Sequence, residues 1–257
     1  MDDQAFFDRQ YASLREFCRL LGEAAPGSRV LELEGVLGAV VPAAPERSVV
    51  NSVTYGSARD LEHALPELAD AYDAAGVRAW TVWVPHFDTE AAALLESAGH
   101  VLDADPEAMA MELDALEAPA PGDLDLDLDL DPAPSVATVA RLNDLAYDHG
   151  GEQFQRALQT APSLHCYVAR DAGRQVCCAT GHDCDGDFSV TFVATVPEAR
   201  GRGLASRLLT LALHEARERG CTTTTLQATK AGEPIYRRLG YRGLGPVQMW
   251  ERRRAAD

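Results

Sequence analysis

The sequence lacks any apolar run of transmembrane length. Its first residues, Met1-Asp2-Asp3-Gln4-Ala5-Phe6-Phe7-Asp8, carry neither the basic stretch nor the apolar core of a secretory leader. A cytoplasmic protein with no membrane partner is expected. Positive charge is scarce: 23 Lys and Arg stand against 40 Asp and Glu, giving a formal net charge of -17. Such a chain repels nucleic acid and anionic membranes and draws in cations. The six cysteines, at 18, 166, 177, 178, 184 and 221, show no secretory spacing and no paired Cys-x-x-Cys. Adjacent Cys177 and Cys178 point to opposite faces of a strand, so free thiols and no metal are expected.

With 257 residues, 46 % of them hydrophobic, the chain can bury one large core or two of ordinary domain size. A Pro/Ala-rich linker at 117–122 divides it into residues 1–116 and 123–257. The Asp-Leu alternation from Asp123 to Asp131 predicts a strand that buries Leu124, Leu126, Leu128 and Leu130 on one face and keeps aspartates on the other. It begins like an EF-hand calcium loop, but the required glycine and bidentate glutamate are missing.

The C-terminal half reads helix, strand, strand, strand, helix, strand, helix, strand. A helix is predicted over 136–147 and strands over 164–169, 176–181 and 188–196, with turns at Asp171-Ala172-Gly173 and Asp185-Gly186-Asp187. Apolar residues at 204, 208, 209, 211, 212 and 216 have helical period, and Gly220 ends that helix. A Thr-rich strand over 221–227 and a short helix over 234–239 follow. The N-terminal half repeats the closing pattern more faintly, with a helix over 61–75, a strand over 77–84 and a helix over 89–97. Two copies of one unit are predicted, each a mixed, mostly antiparallel sheet flanked by helices, an α/β (α+β) fold. Trp80 and Trp83 point to opposite faces of their strand and are read as core rather than a stacking platform.

The chemistry concentrates where a strand runs into Arg200-Gly201-Arg202-Gly203-Leu204-Ala205-Ser206 and a long amphipathic helix. Backbone N–H groups at such a helix start, with the helix dipole behind them, bind anions. Gly201 and Gly203 permit close approach, and Arg200 and Arg202 can add charge-assisted contacts to phosphate. The loop lacks the Gly-Lys-Ser/Thr ending of a Walker A motif and the glycine spacing of a dinucleotide fingerprint. A pyrophosphate cradle of another kind is expected.

Arg200, Gly203 and Ala205 resemble the acetyl-CoA signature of the GNAT superfamily of N-acetyltransferases. About 30 residues on, Ile235-Tyr236-Arg237-Arg238-Leu239-Gly240-Tyr241 is similar to a later motif of that family. The resemblance covers residues 123–253 and identifies the first half as a degenerate copy, as in tandem members. Tyr55-Gly56-Ser57-Ala58-Arg59-Asp60 there puts an acid where an anion would bind, and Leu95 replaces the tyrosine.

The resemblance implies acetyl-CoA as co-substrate and direct attack of an amine on the thioester. It implies that the strand before the loop splays from its neighbour, with main-chain groups of Val193, Ala194 and Thr195 on the pantetheine. Tyr236 is implied as the acid that protonates the leaving thiolate. Many members carry a base on the strand before the loop, but Ser189 stands at that position here. Asp187, on the same strand face, is the candidate base, with His182 and Asp183 nearby and a water chain as a further route. The acceptor is expected to be the primary amine of a small molecule or peptide, possibly cationic, on a monomer or homodimer. The missing base leaves a CoA-binding module without turnover as the competing expectation.

Overall fold

The computed structural model describes residues 1–116, 129–147, 152–161 and 163–254. The expected linker and Leu124, Leu126 and Leu128 lie outside these residues. In chain order the elements are α1 (Asp3–Glu23), β1 (Arg29–Leu33), β2 (Val36–Val40), β3 (Ser52–Tyr55), α2 (Ala58–Ala74), β4 (Ala79–Pro85), α3 (Thr89–Ser97), β5 (Val101–Ala104) and β6 (Glu107–Glu112). They continue with β7 (Asp129–Leu130), α4 (Val136–Tyr147), α5 (Gln153–Ala157), β8 (His165–Asp171), β9 (Arg174–Cys184), β10 (Asp187–Thr195), α6 (Leu204–Glu218), β11 (Thr223–Ala228), α7 (Glu233–Leu239) and β12 (Arg242–Arg253).

The chain forms two compact units whose membership differs from the sequence cut. One comprises residues 14–107, 156–161 and 245–257; the other comprises 1–13, 108–155 and 162–244. Each half of the sequence therefore supplies a terminal strand to the unit built mainly from the other half. Periodicity cannot reveal this, because a strand's alternation does not name its partner.

In the first unit β1, β2 and β3 are antiparallel neighbours, and β4 returns parallel to β3 after α2. The end of the chain completes the sheet, because β12 pairs antiparallel with both β4 and β5. Leu61, Leu65, Leu68 and Tyr72 of α2 are buried over this sheet with Val53, Trp80 and Val82. Trp80 stacks on Tyr72 at 4.7 Å, and Trp83 donates its Nε1–H to Ser52 Oγ, so both tryptophans are core residues as expected.

In the second unit the strand order is β6-β11-β10-β9-β8-β7. The pairs from β7 to β10 are antiparallel, and β11 runs parallel to β10. Both hairpin turns are two residues long with positive φ throughout: Ala172 and Gly173 between β8 and β9, then Asp185 and Gly186 between β9 and β10. Such turns match the right-handed twist of the strands they join. Leu204, Leu208, Leu209, Ala212, Leu213 and Ala216 form the buried stripe of α6, packed with Val176, Phe188 and Val190. Leu130, expected to be buried, is 41 % exposed on β7. The pairing sequence of three antiparallel strands, a helix, a parallel strand and a helix is the same in both units.

Candidate functional site

The site of the second unit begins at a defect in β10. Thr191 pairs with Thr180 and Ala194 with Cys178, so β10 has one residue more than β9 over this interval. The extra residue falls at Phe192, whose φ is 40°. A non-glycine in that region costs of order 1–3 kcal/mol and persists only where its surroundings hold it. Here the Phe192 ring meets Phe154 edge-on at 5.3 Å. The parallel pairing of β10 with β11 covers Asp187, Phe188 and Ser189, opposite Thr223, Thr224 and Thr225. Beyond Ser189 the strands part although β10 continues to Thr195, which is the splay that the family resemblance implies. Main-chain groups of Val193 and Thr195 thus border an opening, while Ala194 is buried.

At the far end of β10, residues Pro197–Ala199 form a 3-10 turn, and the chain enters α6 through Gly201 and Gly203 at φ 75° and 74°. A Cβ at either glycine would meet no atom within 4 Å, so backbone conformation rather than crowding demands glycine. Gly203 is the N-cap and has no side chain to satisfy the first turn. Among the described residues the N–H groups of Gly201 to Ser206 find no acceptor, whereas Arg207 N–H is the first to bond back, to Gly203 O at 3.1 Å. This row of N–H groups at a helix N-terminus can hold a diphosphate.

Both arginines of the loop have partners within the protein. Arg200 donates Nε–H to Thr195 O at 3.1 Å and Nη2–H to Ala146 O at 2.6 Å, tying the end of α4 to the end of β10. Arg202 makes two bonds to the Asp171 carboxylate, at 2.5 and 3.0 Å. Both guanidinium groups are engaged within the protein, Arg202 in an exposed pair, and the backbone N–H groups beside them are the donors left without an acceptor among the described residues. Local spacing could place these arginines beside the loop but could not show the distant acceptors that take them.

Tyr236 is buried on α7, its ring edge-on to Tyr241 at 5.8 Å. Burial, reinforced by Tyr147, pushes the Tyr236 phenol well above its ordinary value, so it holds its proton across the neutral and alkaline range. Tyr147, at the end of α4, donates its hydroxyl to Val193 O at 2.9 Å. It is a site residue the sequence reading missed, since nothing in the spacing of α4 reveals a bond to a strand 46 residues away.

Of the candidate bases, Asp187 and His182 are enclosed, whereas Asp183 is exposed and held by Arg219. Asp187 is fully buried and accepts from Ser13 Oγ at 2.8 Å, Thr223 Oγ1 at 2.8 Å and Thr225 Oγ1 at 2.5 Å. Burial raises its pKa against the pull of these hydroxyls. It also stands six residues before Val193, about 20 Å along an extended strand. The geometry is that of a buried anchor. His182 is buried with Nε2 3.0 Å from Ser13 O, and burial lowers its pKa to about 4. Burial also raises the pKa of Asp183, but the two bonds from Arg219, at 2.8 and 2.9 Å, outweigh it and leave the carboxyl below its ordinary value. Cys221 is likewise buried, and desolvation pushes its thiol up to about 12, which suits a core residue rather than a nucleophile. Among the described residues no group of three or more His, Cys, Asp or Glu could hold a metal ion. None of their helices is long and apolar enough to cross a membrane.

Residues 162–243, within the C-terminal half, match the acetyltransferase (GNAT) domain model. Solved structures share the fold over nearly the whole chain. A GCN5-related N-acetyltransferase from Kribbella flavida has TM-score 0.65 and 19 % identity, covering 95 % of this chain and 96 % of its own. A putative acetyltransferase of the GNAT family from Novosphingobium aromaticivorans has TM-score 0.58 and 17 % identity, covering 96 % and 99 %. A tandem GNAT protein from the clavulanic acid biosynthesis pathway has TM-score 0.54 and 13 % identity, covering 97 % of each chain. A search of curated proteins finds no match.

Proposed function

We propose that this protein is an acetyl-CoA-dependent N-acetyltransferase with one cofactor site, in its second unit. The observation that carries this reading is the unpaired stretch of β10 leading into the unsatisfied N–H groups of Gly201 to Ser206. The diphosphate of CoA fits that row, and the pantetheine lies along Val193, Ala194 and Thr195. When bound, acetyl-CoA supplies the thioester whose carbonyl carbon the acceptor amine attacks. Tyr236, held protonated by its burial, donates a proton to the departing thiolate sulfur.

The first unit is a degenerate copy of the same fold. Its counterpart loop is closed on itself, with Ser57 capping α2 by accepting from Asp60 N–H and donating to Asp60 Oδ2 at 2.7 Å. A carboxylate occupies the helix start where a phosphate would sit. At the end of β3, past its last pairing with β4 at Val53, Tyr55 donates to Asp88 Oδ2 at 2.9 Å.

With Asp187 and His182 enclosed, the amine proton passes through water to solvent. The acceptor is a primary amine of a small molecule or peptide, and the chain's charge of -17 favours a cationic one in the cytoplasm. Incubation with acetyl-CoA and a panel of primary amines, following free thiol, is expected to show amine-dependent release. Its rate should rise with pH toward the pKa of the amine without a plateau set by the enzyme. Binding of acetyl-CoA without thiol release from any amine would overturn the catalytic reading and leave a CoA-binding module.

A further inference from the structure

The second unit contains a cavity of about 500 Å³ that no step above uses. Its walls include Arg141 and Leu145 of α4, Arg170 at the end of β8, Arg174 and Gln175 at the start of β9, and Pro197 of the 3-10 turn. That volume lies within the range of small-ligand sites. Three guanidinium groups stand on it in a chain with a large negative charge.

Their compensation is incomplete. Arg170 bonds the buried Asp131 carboxylate at 2.9 Å, yet its Nε–H is buried without an acceptor among the described residues. Arg174 pairs with Glu198 at 2.9 Å, both side chains exposed, an arrangement worth little in water. Among the described residues Arg141 has only a neutral partner, Gln175 Oε1 at 2.6 Å, while the Gln175 amide is bonded in turn to Asp131. Among the described residues two carboxylates thus face three cations, and Arg141, the one without an acidic partner there, borders the cavity. Leu145, 54 % exposed, and Pro197 add an apolar wall.

We propose that this cavity is a second anion site, which takes the phosphate group of a small ligand on Arg141 and Arg174 with an apolar portion against Leu145. Guanidinium groups match phosphate oxygens in geometry as well as charge. Because Pro197 and Glu198 lead directly into Arg200, an occupant would also touch the entry to the CoA loop. The phosphate has two possible sources, the 3′-phosphate of CoA itself and a separate phosphorylated molecule. The proposal stands on the cavity alone and does not require the enzyme to turn over.

The test is calorimetric titration of phenyl phosphate into the full chain, free and saturated with CoA, alongside titrations with CoA and dephospho-CoA. A separate ligand predicts that phenyl phosphate binds the CoA-saturated protein and binds Arg141→Gln at least about tenfold more weakly, with CoA affinity unchanged. If the 3′-phosphate is the occupant, CoA blocks phenyl phosphate, and Arg141→Gln weakens CoA about tenfold while sparing dephospho-CoA. Leu145→Glu, at an exposed position, sets a carboxylate on the wall and should reproduce the loss even if Arg141→Gln disturbs packing. Equal phenyl phosphate binding by wild type and both variants, with CoA and dephospho-CoA also equal throughout, would overturn the site. Failure of CoA to bind would instead count against the acetyltransferase reading, and phenyl phosphate binding to the free protein and to Arg141→Gln would still decide this one.

Discussion

Replacing Tyr236 by Phe removes one oxygen and tests the assignment of the proton donor. The ring is buried edge-on to Tyr241, and no hydrogen bond of its hydroxyl is found among the described residues, so the shape of the core survives. Stability should change by less than about 0.5 kcal/mol, because no buried partner is left unsatisfied. Acetyl-CoA affinity should also hold, since the cradle is the main chain of Gly201 to Ser206. The chemical step should slow by about 10²–10⁴-fold, the range for a positioned general acid. At 1.36 kcal/mol per decade, that is about 3–5 kcal/mol lost from the transition state alone. Single-turnover thiol release, read with a calorimetric Kd for CoA and a melting curve, separates the three effects. With its pKa raised by burial, the wild-type tyrosine stays protonated as pH rises, so its rate should not fall below pH 10. A kcat within about threefold of wild type, or an equal loss in binding and stability, would refute the role.

Other expectations follow from the same contacts. Asp187→Ala strands the hydroxyls of Ser13, Thr223 and Thr225 and should lower unfolding free energy by about 2–4 kcal/mol in urea titration. Residual activity per folded molecule should stay within about threefold; a loss of a hundredfold with unchanged stability would restore it as a base. Gly203→Val forces a branched residue into a left-handed conformation costing about 1–2 kcal/mol and should weaken CoA about tenfold. Arg202→Gln, which breaks an exposed pair with Asp171, should weaken CoA less than threefold, and calorimetry on both variants checks the contrast. His100 and His182 are buried with pKa values lowered to about 4, so the folded state disfavours their protonation. Their contribution is present above pH 6.5 and is lost as pH falls toward 4, about 3 kcal/mol each at most. Urea midpoints should drop across that window, and replacing either histidine by Gln should shrink the drop.

What could be read ahead of the structure follows the range of the interactions involved. The CoA loop and the stripe of α6 depend on neighbours within a few residues, and glycine spacing and period exposed both. Helix α1 went unread because its buried stripe, Phe6, Gln10, Ser13, Leu14, Phe17 and Leu21, includes two polar residues. Ser13 counts as interior only through Asp187, 174 positions away. The same bond helps remove Asp187 from solvent, which reasoning from the strand face that it shares with Ser189 could not show. Arg200 illustrates the limit again, since its acceptor at Ala146 belongs to a different helix. In the first unit β2 and β3 are short and buried at every position, and β1 is buried at none, so none of the three alternates visibly.

The placement of β12 has a consequence for biosynthesis. Trp83 of β4 pairs in register with Met249, so the central strand of the first unit, already paired with β3, gains its second neighbour only after residues 108–244 have been made. On the ribosome the N-terminal unit must wait with an open edge while the second unit is translated. Closure of such a distant contact carries a large loop entropy and slows folding. The unit that holds residues 14–107 therefore completes its sheet only after the strands of the other unit have been made.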